Sequence, residues 1–393
     1  MRYVKPHYYD AFCCSADKCP DTCCAGWQIM IDDDSLNRYS QLKGGFGSRI
    51  ANSIDWQEGC FLQYKGRCAL LNQENLCDMV TELGEEYLCE TCSRYPRHIE
   101  EFEGLREMSL SLSCPVAAKM ILNCEEGLEL IQEEDEAEDP LDEEFDDFDV
   151  LLFTQLEDAR NVLFQIVQGQ MKQGESTIST NDCSMEKRMH LILEMAAQMQ
   201  DCVDEGRLYD MEKIIVRFSG ADIGEMQVRN SFLSEREGFL RLREGFEVLK
   251  RLERLRDEWS SVLTGAWDTL YAKGEEHYLK IRGEFLREYG CGGRFYADWQ
   301  LFLKNLLLSF LYTYFCGAVY DDWIYSKAAF AVFSVVYVQE FVMFRFISSD
   351  KDIDKHDWVE LAYRYAREVE HSDDNLNLLE EWFQNSRQGR ERN

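Results

Sequence analysis

FCCSADKCPDTCCAGW, residues 12–27, holds five cysteines within twelve positions. Seven more cysteines follow before residue 125, whereas the remaining 269 residues hold only four. Thiols at this density either form disulfides or bind metal, and the cellular compartment usually decides between the two. The stretch therefore marks the first third of the chain as a unit with its own chemistry.

The compartment follows from the start of the chain, which reads MRYVKPHYYDAF. This text has neither the apolar h-region nor the small-residue cleavage site of a secretion signal. We therefore expect a cytoplasmic protein whose thiols stay reduced and serve as thiolate ligands for zinc or an iron–sulfur cluster. A chain of 393 residues also buries a core without disulfide staples.

The net charge is −32, from 74 acidic and 42 basic residues. A polyanion is repelled by such a field, so nucleic acid and anionic membrane surfaces are excluded as partners. Cationic partners fit this charge, although acidity that serves only solubility explains it equally simply.

Two cysteine pairs have a spacing suited to metal binding. Cys89 and Cys92 are two residues apart, and this spacing turns both sulfurs toward one ion. Cys19 and Cys23 are predicted to share one face of a helical turn, at i and i+4. Cys68, Cys77 and Cys114 are additional donors. Cys114 precedes Pro115 at the predicted start of a helix, where the helix dipole favours a thiolate.

Residues 125–149 carry fifteen acidic side chains and no basic one. Like charges at this density repel one another, so the segment is predicted to be a solvated linker, or alternatively a tail that binds a basic partner.

After residue 150, apolar residues recur at helical intervals. The fold class is mainly α: a cysteine-rich, irregular and α-helical metal-binding domain (1–124), an acidic linker (125–149) and an α-helical bundle domain (150–393).

Residues 299–320 and 328–347 are apolar enough to suggest membrane spans. Lys304, Asn305, Gln339, Glu340 and Arg345 interrupt them, so buried helices of a bundle are predicted instead of membrane insertion. The corner between them reads Tyr320-Asp321-Asp322-Trp323. Its carboxylates and aromatic rings suit a cationic ligand, and a plain interhelix loop is the alternative.

Several of these stretches resemble the flagellin lysine-N-methylase family, whose N-terminal part belongs to a broader group of cysteine-rich zinc- or iron-chelating domains. The matching text is CPDTCCAGW at 19–27, CFL at 60–62, CAL at 68–70, CETCSRYPR at 89–97 and LSCP at 112–115. Asn305 and the text REVEHS at 367–372 are similar to the same family. The resemblance covers most of the chain.

The resemblance implies a protein-lysine N-methyltransferase that transfers methyl groups from S-adenosylmethionine to surface lysines of flagellin. It also implies an iron–sulfur cluster of the 4Fe-4S type, with zinc as the alternative metal. The ligands are expected among Cys19, Cys23, Cys24, Cys68, Cys77, Cys89, Cys92 and Cys114. The competing function is a non-enzymatic or redox-sensing metal protein whose helical domain binds a partner.

Methyl transfer to lysine needs a neutral amine in line with the sulfonium, and hydroxyls and carboxylates hold such an amine. The predicted catalytic residues are Tyr320, Asp321, Asp322 and Trp323. The spacing C-x3-C-x2-C of radical enzymes is absent, because Gly26 stands where the third cysteine would be. The doubled Cys13-Cys14 departs from the single cysteine that the family pattern has.

Overall fold

The computed structural model describes residues 1–134, 148–169, 184–220 and 235–391, with side chains as far as residue 387. The described chain is mainly α-helical, which confirms the predicted fold class. The strands lie within residues 1–134.

One sheet of four strands joins distant parts of the chain. Its order is β6-β7-β1-β8, in which β1 runs parallel to β7 and antiparallel to β8. Two pairs of two-residue strands complete the β structure. The strands are β1 (Arg2–Pro6), β2 (Ile54–Asp55), β3 (Cys60–Phe61), β4 (Gln63–Tyr64), β5 (Arg67–Cys68), β6 (Arg97–Phe102), β7 (Leu105–Leu110) and β8 (Leu130–Glu134).

In the described parts of the chain, five short α-helices lie among these strands and ten α-helices follow them. The helices are α1 (Asp33–Ser40), α2 (Gly44–Ala51), α3 (Asp78–Leu83), α4 (Glu90–Arg94), α5 (Pro115–Leu122), α6 (Val150–Gln168), α7 (Met185–Asp204), α8 (Met211–Ser219), α9 (Glu235–Leu249), α10 (Asp257–Ala266), α11 (Glu275–Tyr289), α12 (Tyr296–Tyr314), α13 (Ile324–Ser348), α14 (Lys355–Glu370) and α15 (Asp373–Glu391).

Buried apolar side chains form two clusters. The smaller one runs from Ile29 to Cys89 and lies within the part that we call the cysteine-rich lobe, residues 13–94. The larger cluster joins the four-stranded sheet and α5 to the helices from α6 onward. The sheet is therefore packed with the helical bundle, while the lobe between β1 and β6 has a small core of its own.

The predicted acidic linker is wrong for Leu130–Glu134, which forms β8 and pairs with β1 along five residues. Its charge is tolerated because Lys5 Nζ lies 3.0 Å from the Glu133 carboxylate. Residues 135–147 of that segment lie outside the described residues. The other predicted boundaries, at residues 124 and 150, stay predictions.

Helix α13 is the centre of the bundle and packs against α7, α12, α14 and α15. Together with α12 it is long and apolar enough to cross a membrane by length and composition, yet 72% of each apolar window is buried inside the protein. Both segments therefore form the buried core helices that the sequence predicts.

The polar interruptions of α12 and α13 are satisfied inside the bundle. Asn305 donates a hydrogen bond of 2.7 Å to the Cys124 carbonyl and thereby caps the end of α5. Glu340 accepts hydrogen bonds from the hydroxyls of Tyr271 at 2.6 Å and Tyr278 at 2.9 Å. Burial raises the pKa of Glu340 from 4.5 to about 7.

The raised pKa of Glu340 predicts a stability that falls as pH rises. The folded protein keeps a proton that the unfolded chain loses near pH 4.5, so this contribution is complete below pH 4.5 and is lost through about pH 7. We expect the difference in unfolding free energy between wild type and Glu340→Gln to change by up to about 3 kcal/mol over this window. Urea unfolding of both proteins at pH 4.5 to 8 measures the change. Parallel pH profiles would refute it.

Candidate functional site

The eight predicted cysteine ligands lie on short elements and loops around the cysteine-rich lobe. Cys77, Cys89 and Cys114 each occupy the N-cap position of a helix, α3, α4 and α5 respectively. Cys68 ends β5, and its backbone N–H donates a 2.9 Å hydrogen bond to the Cys24 carbonyl. The backbone thus aligns residues that are 44 positions apart in the sequence.

These thiols interact with one another as one group. The Cys68 thiol lies within electrostatic range of Cys77, Cys89 and Cys23. Cys92 hydrogen-bonds to Cys89 and interacts with Cys24, and Cys114 interacts with Cys19. All eight predicted ligands are therefore brought together, and we call them the cysteine array. Which of them hold a metal stays a prediction.

The helical turn predicted for Cys19 and Cys23 is wrong. Cys19 follows a single 3₁₀ turn, Ala16–Lys18, and the chain from there to Cys23 is a loop with bends at Pro20, Asp21 and Cys23. The Cys19 thiol donates instead to the Asp21 carbonyl at 2.5 Å. Pro20 accounts for the difference, because proline disfavours helical backbone in the residue before it.

The chemistry of the array fits a cationic metal group. Burial raises the pKa of Cys68 and of Cys114 to about 11, and a metal cation replaces the protons that these thiols otherwise keep. The buried Arg367 guanidinium lies within electrostatic range of Cys19 and Cys114, and its charge opposes part of the rise that burial causes in their pKa values. One of its nitrogens, Nη2, has no hydrogen-bond partner among the described residues. A buried positive charge with a spare N–H group suits an anionic thiolate cluster.

Asp21 connects this array to the helical bundle. Its carboxylate accepts a 3.0 Å hydrogen bond from Arg256 and a second bond from Arg367 of α14. Arg256 also donates to the carbonyls of Thr22 at 3.1 Å and Ala25 at 2.8 Å. The loop that carries Cys23 and Cys24 is therefore held by two arginines from the C-terminal half.

Gly26 lies in the same loop and leaves the space that Arg256 fills. Its φ is +86°, and an added Cβ would lie 2.6 Å from the Arg256 Nε atom. We expect Gly26→Ala to lower the free energy of unfolding by about 1–3 kcal/mol, from the positive φ and the displaced arginine. Thermal unfolding measures the loss. Gly66→Ala is the matched control, because Gly66 has a φ of +70° with no atom near its Cβ position. Equal losses in both variants would contradict the role of Arg256.

A chain of polar side chains runs from α14 to the start of α5, beside Cys114. Glu370 accepts hydrogen bonds from Ser111 at 3.1 Å and from the Tyr314 hydroxyl at 2.9 Å. Ser111 lies 2.6 Å from Ser113, which in turn lies 2.8 Å from His371 Nε2. We call Glu370, Ser111, Ser113 and His371 the polar relay. It provides a continuous hydrogen-bonded path between a carboxylate and an imidazole.

The pKa values of Glu370 and His371 suit proton transfer near neutral pH. Burial raises the pKa of Glu370 to about 7, against the opposing effect of the Tyr314 and Ser111 hydrogen bonds. Burial and the nearby Arg367 lower the pKa of His371 to about 3, so this imidazole is neutral at pH 7. Both residues are nevertheless partly exposed. A carboxylate with a pKa near the working pH is suited to act as a general base.

The sequence does not predict the relay, although the text REVEHS at 367–372 resembles the methylase family. Ser111 and Glu370 are 259 positions apart, and no local pattern joins them. The one local signal is that Glu368, Glu370 and His371 lie close together in the sequence.

The predicted catalytic corner, Tyr320 to Trp323, lies at the other end of the sheet from the array, between α12 and α13. Tyr320 stacks on Phe102 at 5.8 Å, and its hydroxyl donates to the Glu101 carbonyl. Asp321 lies 2.6 Å from Lys327 Nζ, so its charge is already paired. Burial and the neighbouring Asp321 raise the pKa of Asp322. The catalytic role of this corner stays a prediction.

Comparisons with known proteins identify relatives of this chain. A stretch of 136 residues is 31% identical to the flagellar biosynthetic protein FliU of Salmonella muenchen and covers 32% of this chain and 80% of that protein. The lysine-N-methylases of Salmonella typhimurium and Salmonella choleraesuis are also 31% identical over 136 residues. Those matches cover 32% of this chain and 34% of each methylase, about a third of their length. No solved structure matches the chain.

The family assignment rests on the C-terminal half of the chain. Residues 176–390, more than half of the chain, match the C-terminal domain of the FliB lysine N-methylases. This range includes α14 and the relay residues Glu370 and His371. The chain therefore belongs to the FliB lysine N-methylase family, a family of protein-lysine methyltransferases.

Proposed function

We propose that this chain methylates surface lysines of flagellin with S-adenosylmethionine as the methyl donor, in the cytoplasm, and that the cysteine array holds an iron–sulfur cluster. The observation that carries the proposal is the polar relay, which sits beside Cys114 and whose Glu370 and His371 lie within the range matched by the methylase family. The name of the relative FliU supports a flagellar substrate.

The reaction requires a neutral lysine amine, and the relay supplies a base for it. A lysine in water has a pKa near 10.4, so nearly all of it is protonated at pH 7. Glu370 accepts the proton from the incoming ammonium. The hydrogen-bonded series Ser111, Ser113 and His371 orients the carboxylate. Trp27 lies 4.6 Å from His371, ring to ring, and with Tyr95 offers aromatic faces for the substrate's aliphatic stem or ammonium.

The array would hold the metal group through Cys23, Cys24, Cys68, Cys77, Cys89 and Cys92, with Cys19 and Cys114 on the side of the relay. Among the described residues no three of these sulfurs lie within 4.8 Å of one another. A lone tetrahedral zinc would need neighbouring sulfurs about 3.8 Å apart, from Zn–S bonds of about 2.3 Å. The described sulfurs therefore do not form a compact site for a single zinc, and the proposal of a cluster rests on the resemblance to cysteine-rich chelating domains. When bound, the cluster supplies iron and sulfide at the junction of lobe and bundle.

Metal and sulfide analysis of anaerobically purified protein tests the proposal. We expect iron with acid-labile sulfide, a visible spectrum that changes when S-adenosylmethionine is added, and transfer of labelled methyl groups from the donor to flagellin. Zinc without sulfide, no response to the donor and no labelled flagellin would overturn it and favour a metal protein that binds a partner through its helical domain.

The predicted corner at Tyr320 is tested separately. We expect Asp321→Asn with Asp322→Asn to lower kcat/KM for flagellin about tenfold, mainly through KM, because an acidic corner captures lysine-bearing surfaces by charge. Steady-state methylation at two salt concentrations measures the effect. Trp323→Phe is a control that keeps both charges. An unchanged KM in the double variant would remove the corner from the substrate site.

A further inference from the structure

A histidine, a cysteine and a glutamate converge outside the cysteine array, where β1 passes the end of α5. His7 Nε2 lies 3.6 Å from Cys124 Sγ and 3.3 Å from the Glu126 carboxylate. The three ligand atoms all lie within 4.8 Å of one another, and no other such group of His, Cys, Asp or Glu occurs in the part of the chain that the structure describes.

Packed elements fix each of these residues. His7 directly follows β1, and its backbone N–H donates a 2.9 Å hydrogen bond to the Glu129 carbonyl just before β8. Cys124 comes two residues after α5, and its own carbonyl accepts the 2.7 Å hydrogen bond from Asn305 of the buried helix α12. The positions of His7 and Cys124 therefore depend on the sheet and on the bundle core, and only the Glu126 side chain is free to move in solvent.

The geometry is that of a chelate and not of a nucleophile with a base. In a cysteine–histidine–carboxylate relay, the thiol and the carboxylate bind opposite nitrogens of the imidazole. Here both approach the same nitrogen, Nε2, while Nδ1 lies 3.4 Å from both the carbonyl oxygen and the backbone nitrogen of Glu129. An imidazole that binds metal through one nitrogen typically donates its other N–H to such a carbonyl.

We propose that His7, Cys124 and Glu126 form a second metal site that binds one zinc-like divalent ion. One nitrogen, one sulfur and one carboxylate oxygen are the ligand types that zinc takes in proteins, and softer or harder ions fit this mixture less well. A cavity of about 10 Å³, bounded by Tyr8, Cys124, Gly127 and Asn305, adjoins the thiol and has room for one water molecule.

The surrounding charges are compatible with a cation. A thiolate and a carboxylate bring two negative charges, which a divalent ion balances. Lys304 lies within electrostatic range of Cys124 and is a nearby positive charge that opposes a bound cation. An ion bound at this site would hold the start of the chain against the end of α5, at the edge of the sheet.

Cobalt, a spectroscopic substitute for zinc, tests the site in the full-length protein with its cysteine array as purified anaerobically. We expect wild type to bind one more equivalent of Co²⁺ than Cys124→Ser, with a thiolate-to-cobalt charge-transfer band that the variant lacks. His7→Gln keeps the thiol and should weaken binding of this equivalent at least tenfold. Cys291→Ser, an exposed cysteine elsewhere, is the matched control and should behave as wild type.

Zinc provides a second readout that does not depend on activity. The melting temperature of wild type should rise with added Zn²⁺, and that of His7→Gln should rise less, because an ion bound only by the folded state stabilises it. If Cys124→Ser fails to fold, His7→Gln and Glu126→Gln carry the test. Equal cobalt stoichiometry and equal zinc stabilisation in wild type and His7→Gln would overturn the proposal.

Discussion

Glu370→Gln is expected to lower the rate of lysine methylation by about 10²- to 10⁴-fold, the usual contribution of a positioned general base. Glutamine preserves the size of the side chain and one acceptor oxygen for Tyr314 or Ser111, while its NH2 group donates to the other hydroxyl, but it cannot accept the proton of the substrate ammonium. Single-turnover transfer of labelled methyl groups, with enzyme and donor in excess over flagellin, measures the chemical step.

The pH profile separates a base from a merely structural carboxylate. Because the raised pKa of Glu370 is about 7, the base form increases as pH rises through 7, and the wild-type rate should rise with it. Glu370→Gln should lose this limb of the profile. Glu340→Gln is the matched control, since Glu340 is also buried with two hydroxyl partners and a pKa of about 7 but lies in the bundle core. A full rate in Glu370→Gln would exclude the relay as the base.

Glu107→Gln is expected to have the largest effect on stability, a loss of about 3–5 kcal/mol in the free energy of unfolding. Glu107 on β7 and Arg160 on α6 form a two-pronged ion pair whose side chains are only 5% and 4% exposed, with one N–O distance of 2.5 Å. Removing the carboxylate charge leaves the guanidinium buried and uncompensated. The Tyr312 ring, 5.3 Å from this guanidinium, cannot replace a full negative charge.

Urea unfolding of wild type and Glu107→Gln at one pH measures this loss. Glu247→Gln removes a surface partner of Lys250, with side chains 48% and 38% exposed, and should cost no more than about 1 kcal/mol. A loss in Glu107→Gln as small as in this control would mean that the buried pair adds little to the junction of sheet and bundle.

Local sequence patterns predicted the features that depend on neighbouring residues. Cys114 and Pro115 begin α5 as expected, because proline fits the first helical position. The apolar segments at 299–320 and 328–347 are buried, as their polar interruptions predicted. The cysteine array was identified because thiols are chemically distinctive wherever they occur.

The features that were missed depend on pairing across long distances. Strand β1 reads RYVKP and β8 reads LIQEE, and neither text has the clean alternation that identifies a strand, because each gains its regularity from the partner backbone. The polar relay joins residues 111, 113, 370 and 371 for the same reason. The prediction of a helical turn at Cys19 and Cys23 was wrong because Pro20 disfavours helical backbone at Cys19.

The sheet order also determines when the molecule can assemble. Strand β1 pairs with residues 105–107 on one side and 130–134 on the other, so the whole cysteine-rich lobe is an insertion between β1 and its partners. During synthesis, both edges of β1 (residues 2–6) can be paired only after more than 130 residues have emerged. The entropy lost on closing such a long loop falls when the intervening chain is already compact. Folding of the lobe therefore favours the pairing of β1, and a chain whose lobe is still unfolded leaves the edges of β1 exposed to aggregation.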